Sequence, residues 1–192
     1  MPLWTKQDLM TACKASDPTS NFLNNFDNIH GISIDDRTIK KGELFIALIG
    51  ENFDGHKFID TVAKKGVKAC LIEKKKKHLI KNKKILLIEV NSTLLSLKKL
   101  ALYARNRIRN LKTICVTGSN GKTTLKEWLK ETLKNNFVVY SNPGNFNNLI
   151  GMPITLANIP KNTEIVGINC FLSNFIEFRK VIDIGADRPA VP

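Results

Sequence analysis

Residues 117–124 read Thr-Gly-Ser-Asn-Gly-Lys-Thr-Thr, and they lie between two sequence patterns that set the fold class. Residues 113–116 are Thr-Ile-Cys-Val, an apolar and β-branched run that is typical of a buried strand. After the loop, leucines recur at helical spacing as Leu125, Leu129 and Leu133. A strand, a glycine-containing loop, Lys-Thr and a helix, in that order, predict a phosphate-binding loop in an α/β protein.

The residues of this loop have physical reasons to bind phosphate. Gly118 and Gly121 let the backbone turn tightly and approach an anion closely. Successive amide N–H groups and the positive end of the following helix then point at phosphate oxygens. Lys122 can reach the β and γ phosphates, and the hydroxyl of Thr123 can bind a magnesium ion. The sequence therefore predicts a protein that handles ATP or GTP.

One position of the loop departs from the commonest form of the motif. That form has a glycine five residues before Gly121, where this chain has Val116. A chance Gly-Lys-Thr in a lysine-rich chain is the alternative interpretation, and the strand and helix patterns on either side of the loop argue against it.

The composition is that of a globular protein with a strong positive charge. Of 192 residues, 43% are hydrophobic and 24% charged, which suits one ordinary domain or two small ones. No stretch approaches the ~18 uninterrupted apolar residues of a membrane span, and the N-terminus lacks the pattern of a secretory signal. The four cysteines form no Cys-x-x-Cys pair, so reduced thiols are expected. These features predict a cytoplasmic protein without a membrane span.

The net charge of +13 raises the question of nucleic-acid binding. The densest cluster of lysines, residues 74–77, lies between two strand-like runs, so a solvated connection explains it. No aromatic residues are interleaved with these lysines for base stacking, and no nucleic-acid-binding module is recognisable. We therefore expect no nucleic-acid partner, and an affinity that falls steeply with salt would indicate the opposite.

Strand-like and helix-like patterns alternate along the chain and predict two α/β units with parallel sheets. Residues 1–110 are expected to form a small α/β domain, and residues 111–192 an incomplete phosphate-loop domain. The second unit has only about three strands, fewer than the ~5–6 of an average sheet. The predicted helices are 4–15, 58–65, 92–107, the helix after the phosphate loop, 149–159 and 174–184; the predicted strands are 32–35, 44–48, 67–72, 85–90, 113–116, 137–140 and 164–170.

Five stretches, in order along the chain, resemble the Mur ligases and their relative folylpolyglutamate synthase. Besides the loop at 117–124, Ser-Ile-Asp-Asp-Arg at 33–37 is similar to the family's Ser-x-Asp-Ser/Thr-Arg. Gly-Glu-Leu-Phe-Ile-Ala-Leu-Ile-Gly at 42–50 and the loop at 51–59 are similar to a strand and loop of the family. Gly-Asn-Phe-Asn-Asn-Leu-Ile-Gly-Met-Pro-Ile-Thr-Leu at 144–156 resembles the branch that adds D-alanyl-D-alanine. The resemblance covers most of residues 1–160.

The resemblance implies an enzyme of peptidoglycan-precursor synthesis. Such a ligase uses ATP and Mg²⁺ to activate a carboxylate as an acyl phosphate, which an amine attacks to give an amide, ADP and phosphate. The implied substrates are UDP-N-acetylmuramoyl-tripeptide and D-alanyl-D-alanine. Lys122 and Thr123 would act in phosphoryl transfer, with Thr123 binding magnesium. The implied ATP site is Gly118, Ser119, Asn120, Gly121, Lys122, Thr123 and Thr124, and the implied sugar-nucleotide site is Ser33, Asp35, Arg37, Asp54, Gly55, His56, Asn145 and Asn148.

Some positions differ from the family pattern. Gly167 stands where the family has a glutamate that helps to place magnesium, and Asn169 stands where it has a glycine. Asp36 replaces the usual serine or threonine. The remaining central strands and the C-terminal domain of the family would lie beyond Pro192. We therefore expect the N-terminal part of a ligase, inactive alone, with unpaired sheet edges and exposed apolar surface in its second unit.

Other interpretations remain open at this point. The chain could be a non-catalytic module that binds a UDP-sugar or ATP, or another phosphate-loop enzyme such as a kinase. Taken without the resemblance, Asp35 and Arg37 could be a surface ion pair of little energetic consequence. Asn145 and Asn148 could equally be turn and capping residues.

Overall fold

The computed structural model describes residues 2–13, 29–67, 69–81, 85–117, 120–141 and 150–169. Within these ranges the architecture is mixed α/β, with two parallel sheets. The helices are α1 (Lys6–Cys13), α2 (Ile59–Lys64), α3 (Thr93–Asn106), α4 (Lys122–Leu133) and α5 (Gly151–Ala157). The strands are β1 (Ile32–Ser33), β2 (Leu44–Ile46), β3 (Ala69–Glu73), β4 (Leu86–Val90), β5 (Lys112–Val116), β6 (Val139–Ser141) and β7 (Ile165–Asn169).

The first sheet has the order β1-β2-β3-β4, and every pair is parallel. Its central strands are buried on both faces, which explains why the sequence of β2 is apolar throughout. Leu44 and Ile46 point to one face, where α1, α3 and α5 contribute to the core. Phe45 points to the opposite face and packs in a second cluster with Ile59 and Val62 of α2. Two helical layers therefore enclose this sheet.

The second sheet has the order β5-β7-β6, again parallel throughout. The chain leaves its three strands at one edge, since Val116 pairs with Asn169 and Ser141 pairs with Gly167. Helix α4 packs on one face of this sheet. The described part of α4 is unusual in that Trp128 on its outer face is 68% exposed, while a lysine, Lys126, is 1% exposed.

Helix α5 joins the two sheets. All seven of its residues are buried, and it packs mainly against α3 of the first unit. One continuous apolar cluster contains Leu44 of the first sheet, Leu156 of α5 and Ile168 of the second sheet. Trp4 is completely buried at this junction and donates a hydrogen bond from Nε1 to the carbonyl of Ala157 at 2.8 Å. The described parts of the two units therefore share a core.

The structure confirms the predicted order of strands and helices up to β7, with corrected boundaries. The first helix begins at Lys6, since Thr5 accepts a hydrogen bond from Asp8 N at 3.1 Å and caps it. Trp4, predicted to be helical, instead forms an antiparallel bridge with Ile29. The lysine cluster, predicted to be a solvated connection, forms a 3-10 helix over Lys74–Leu79 that has no buried residues. The helix predicted at 174–184 lies outside the described residues.

Two further observations concern the apolar character of the helices and of the surface. In the described ranges, no helix has both the length and the apolar character that a membrane crossing requires. Apolar side chains of the second unit are exposed on α4 and before β6, namely Leu125, Trp128, Phe137 and Val138. This exposure agrees with the expectation of apolar surface in that unit.

Candidate functional site

A cleft of about 1720 Å³ opens beside the end of β1 and extends to the end of α5. Its walls include Ser33, Asp35 and Arg37, three of the residues that the sequence predicts for the sugar nucleotide. Residues from outside the 33–37 turn complete the walls, among them Phe53, Phe58, Tyr140, Thr155, Asn158 and Lys161. The cleft is therefore built from both units and offers both charged and aromatic groups.

The turn after β1 holds its polar side chains in a fixed arrangement. Ser33 Oγ donates to the carbonyl of Asp35 and accepts from Asp35 N, both at 3.1 Å. Asp35 receives two hydrogen bonds from the Arg37 guanidinium, from Nε at 2.9 Å and from Nη2 at 2.7 Å. These hydrogen bonds lower the pKa of Asp35 to about 2. The Arg37 side chain stays 82% exposed, so Asp35 orients a cation that solvent or an anionic ligand can reach.

The predicted residues Asp54, Gly55 and His56 lie beside the cleft wall rather than in it. The carboxylate of Asp54 caps a 3-10 helix, Gly55–Phe58, by accepting from His56 N at 3.0 Å. Burial alone would raise the pKa of Asp54, but hydrogen bonds from Lys76 and His56 outweigh burial and lower this pKa to about 2. Phe53 and Phe58, on either side of these residues, line the cleft and stack with ring centroids 5.3 Å apart.

The side chain of His56 is buried and has a hydrogen-bond partner at each nitrogen. Nε2 accepts from Glu73 N at 3.0 Å, and so Nδ1 carries the proton and donates it to Asp54 at 2.7 Å. His56 thereby fixes the 50–58 loop to the end of β3. Its role as a direct substrate contact stays a prediction, and the geometry of the described residues gives it a structural task.

Gly55 has a steric reason to be glycine. A Cβ atom at this position would lie 2.9 Å from Ala47 Cα and 3.0 Å from the backbone N and O of Leu48. Backbone atoms cannot move aside as a flexible side chain can. The 50–58 loop therefore passes directly over the end of β2.

The predicted phosphate loop has the expected context. Strand β5 ends at Val116 and helix α4 begins at Lys122, so the strand–loop–helix arrangement is confirmed. Gly121 precedes the helix with φ = +74°, a left-handed conformation that favours glycine. In the first turn of α4, Lys122 is half-buried, and Thr123 and Thr124 are exposed, as is Asn120 before the turn. Gly118 and Ser119 lie outside the described residues, and so do Asn145 and Asn148.

The described part of the loop fits a nucleotide. A Cβ at Gly121 would meet nothing within 4 Å, so the described residues leave space beside this glycine at the N-terminus of α4. Lys122 and Thr123 stand at this positive helix end and supply an ammonium group and a hydroxyl. Fewer groups are available for magnesium. The described residues contain no group of three His, Cys, Asp or Glu that could hold a metal ion. Thr123 is the predicted ligand in this part.

Gly167, where the resemblance places a glutamate in other members, lies in the middle of β7 and faces α4. A Cβ at this position would lie 3.6 Å from Lys126 Cγ and 3.8 Å from Ser141 Cβ, which are ordinary contact distances. Lys126 is buried against this strand, and its Nζ lies 3.1 Å from Glu127 Oε1. A longer side chain at position 167 would compete with Lys126 for this space.

Sequence reasoning missed the residues that the second unit contributes to the cleft. Tyr140, Thr155, Asn158 and Lys161 line it, although none of them carries a motif for sugar-nucleotide binding. Thr155 and Asn158 reach the cleft because α5 packs against α3 and because Asn158 bonds to Ile32, 126 residues away. Tyr140 lies within β6, and Thr155, Asn158 and Lys161 lie in or just after α5, so no pattern in the sequence pointed to them.

Two family models match the chain. The model described as "Mur ligase family, catalytic domain" matches residues 28–105. The model described as "Mur ligase middle domain" matches residues 116–169. The two matches follow one another and together cover both sheets.

Individual proteins show the same similarity. The UDP-N-acetylmuramoyl-tripeptide–D-alanyl-D-alanine ligase of Bacillus subtilis is 38% identical over 145 residues, 76% of this chain and 31% of the relative. The structure of MurF from Acinetobacter baumannii matches with a TM-score of 0.70 at 30% identity, over 88% of this chain and 36% of that one. The MurF ligase from Thermotoga maritima, solved in complex with ADP, matches with a TM-score of 0.58 at 33% identity, over 79% and 35%. The chain spans about a third of the length of these relatives.

Proposed function

Since the chain belongs to the Mur ligase family, we propose that it works in a ligase which joins D-alanyl-D-alanine to UDP-N-acetylmuramoyl-tripeptide with hydrolysis of ATP. One observation carries the proposal: the chain combines the cleft lined by Ser33, Asp35 and Arg37 with a glycine-containing loop directly before α4. Residues 1–110 would hold the sugar nucleotide, and residues 111–192 would hold ATP. The similarity to relatives with this printed activity supports the assignment of substrates.

The cleft residues suit an anionic sugar nucleotide. Asp35 holds the Arg37 guanidinium at fixed hydrogen-bond distances, and the exposed N–H groups of that guanidinium can bind phosphate oxygens. Phe53 presents a half-exposed ring in the same cleft, held by its stack with Phe58. Asn145 and Asn148 are proposed to contribute near the phosphates.

The phosphate loop would place the nucleotide at the N-terminus of α4. ATP supplies the phosphoryl group that converts the substrate carboxylate into an acyl phosphate. Lys122 would neutralise negative charge on the transferring group, and Thr123 would bind Mg²⁺ through its hydroxyl. Gly118, Ser119, Asn120 and Gly121 would direct backbone N–H groups toward the phosphates, with Thr124 close by. We propose a cytoplasmic location, which agrees with the substrates.

Calorimetry on the 192-residue chain tests the proposal. UDP-N-acetylmuramoyl-tripeptide and ATP with Mg²⁺ are titrated separately. Arg37→Ala should weaken binding of the sugar nucleotide about tenfold or more, since a charge-assisted contact is lost. Arg109→Ala, also an exposed arginine but outside the cleft walls, is the matched control and should bind normally. A wild-type chain that folds cooperatively and binds neither ligand would refute the proposal.

The contact at Gly167 favours a second candidate, binding of the sugar nucleotide without ATP turnover. Lys126 lies against the strand where the resemblance places a carboxylate. A chain that binds UDP-N-acetylmuramoyl-tripeptide but hydrolyses no ATP in the presence of D-alanyl-D-alanine would support this candidate. Release of phosphate that depends on both substrates would exclude it.

A further inference from the structure

Strand β1 is the edge of the first sheet, and one side chain covers that edge. On the inner side, Leu44 N of β2 donates to the carbonyl of Gly31 at 2.9 Å. On the outer side, the main-chain groups of Ile32 meet the amide of Asn158. Ile32 N donates to Asn158 Oδ1 at 2.8 Å, and Asn158 Nδ2 donates to Ile32 O at 2.8 Å. The side-chain amide thus binds Ile32 as a neighbouring strand would.

Asn158 is itself fixed to the end of α5. Its Nδ2 also donates to the carbonyl of Ile154 at 2.9 Å, and its backbone N–H bonds to carbonyls of the last helical turn. The amide group therefore has little freedom to leave Ile32. Since Asn158 and Ile32 are 126 residues apart, this contact ties the second unit to the strand that opens the cleft.

Two further contacts hold the same end of α5. Arg107 donates from Nη2 to the carbonyl of Ile159 at 2.9 Å and from Nη1 to the carbonyl of Leu3 at 2.8 Å. Its guanidinium lies 4.7 Å from the ring centroid of Trp4, whose indole N–H binds Ala157. These contacts keep α5 in place without Asn158. Removal of the Asn158 amide should therefore loosen the outer side of β1, which stays paired with β2, while α5 remains docked.

We propose that Asn158 is a positioning residue for the cleft. By holding both polar groups of Ile32, it sets the course of the backbone into Ser33 and Asp35, and hence the place of the Arg37 guanidinium. The affinity of the cleft for its ligand then depends on an amide that acts through Ile32. This inference rests on the proposed function, because the ligand used to test it is the sugar nucleotide.

The test uses two variants of the 192-residue chain and two measurements. Asn158→Ala removes the amide, and Asn158→Asp keeps an acceptor for Ile32 N but places a carboxylate oxygen against Ile32 O. Asn106→Ala is the matched control, since Asn106 is an exposed asparagine at the end of α3. Calorimetry measures binding of UDP-N-acetylmuramoyl-tripeptide. Amide hydrogen exchange compares the N–H of Ile32 with that of Leu44, which donates to the carbonyl of Gly31 and does not depend on Asn158.

In both Asn158 variants, binding should weaken about tenfold. Exchange at Ile32 should accelerate about tenfold relative to Leu44 in Asn158→Ala, and less in Asn158→Asp, which keeps an acceptor for Ile32 N. A purely structural role would lower the thermal midpoint without this selective change in affinity. Unchanged affinity in folded variants would overturn the inference and leave the proposed function intact. Failure of both variants to fold would also overturn it, because Asn158 would then be a folding residue. A folded wild type that binds no sugar nucleotide would overturn the inference, and one that also fails to bind ATP would refute the proposed function as well.

Discussion

The ring of His56 accepts a hydrogen bond from Glu73 N through Nε2 at 3.0 Å, while its Nδ1 donates to Asp54 at 2.7 Å. One imidazole therefore connects the 50–58 loop with the end of β3, and its side chain is fully buried. The loop carries Phe53 and Phe58 of the cleft wall. The stability of this connection and the shape of the cleft should consequently change together.

Substitution His56→Ala should destabilise the protein by about 2–4 kcal/mol, because the buried N–H of Glu73 loses its acceptor and the partly buried carboxylate of Asp54 loses one of its donors. The measurement is the free energy of unfolding in urea at neutral pH. His78→Ala is the control, since His78 is exposed on the 3-10 helix at Lys74–Leu79, and it should change the free energy little. Equal effects of the two substitutions would contradict the structural task given to His56.

The carboxylate of Asp54 should make stability fall in acid. Its pKa is about 2 in the folded protein and 3.8 without the fold, because Lys76 and His56 outweigh burial. The stabilisation is fully present above pH 3.8 and is lost as pH falls toward 2. Urea unfolding measures the free energy of unfolding at pH 5 and at pH 2.5. Between these pH values, Asp54→Asn should lose about 1–2 kcal/mol less of this free energy than the wild type. The exposed Asp60→Asn should lose stability as the wild type does.

Gly55→Ala should be strongly destabilising, by about 2–4 kcal/mol, since the added Cβ would meet backbone atoms of Ala47 and Leu48. Gly50→Ala is the matched control in the same loop, because its Cβ would come no nearer than 3.9 Å to Phe53 Cβ. Thermal unfolding of both variants decides the matter. A midpoint for Gly55→Ala equal to that of Gly50→Ala would show that the loop does not pass over β2 as described.

Lys122→Met should weaken binding of ATP about tenfold or more without changing the cooperativity of unfolding, because Lys122 is the first residue of α4, whose positive end attracts phosphate. Lys130→Met, also half-buried and two turns further along the helix, is the control. Calorimetry with ATP and Mg²⁺ provides the readout. If both variants lose the same affinity, general positive charge on α4 rather than Lys122 binds the nucleotide.

The sequence predicted the local elements well and the long-range contacts poorly. The strand before the phosphate loop and the helix after it follow from the spacing of apolar residues. The turn at Gly121 follows from the freedom of glycine to adopt a positive φ. The burial of His56 depends on a main-chain N–H of another strand, and no periodicity encodes such a pair. Likewise, an asparagine that follows α5 gives no sign that it will cover Ile32, since the docking of α5 on α3 decides that contact.

The two tryptophans of the chain lie in opposite surroundings: Trp4 is fully buried where the units meet, and Trp128 is 68% exposed on α4. Their fluorescence should therefore separate into a blue-shifted component that a soluble quencher cannot reach and a red-shifted one that it can. Loosening of the junction between the sheets would expose the first emitter and leave the second unaltered. Trp4 is thus an intrinsic fluorescence probe for movement between the two units, and no attached dye is needed.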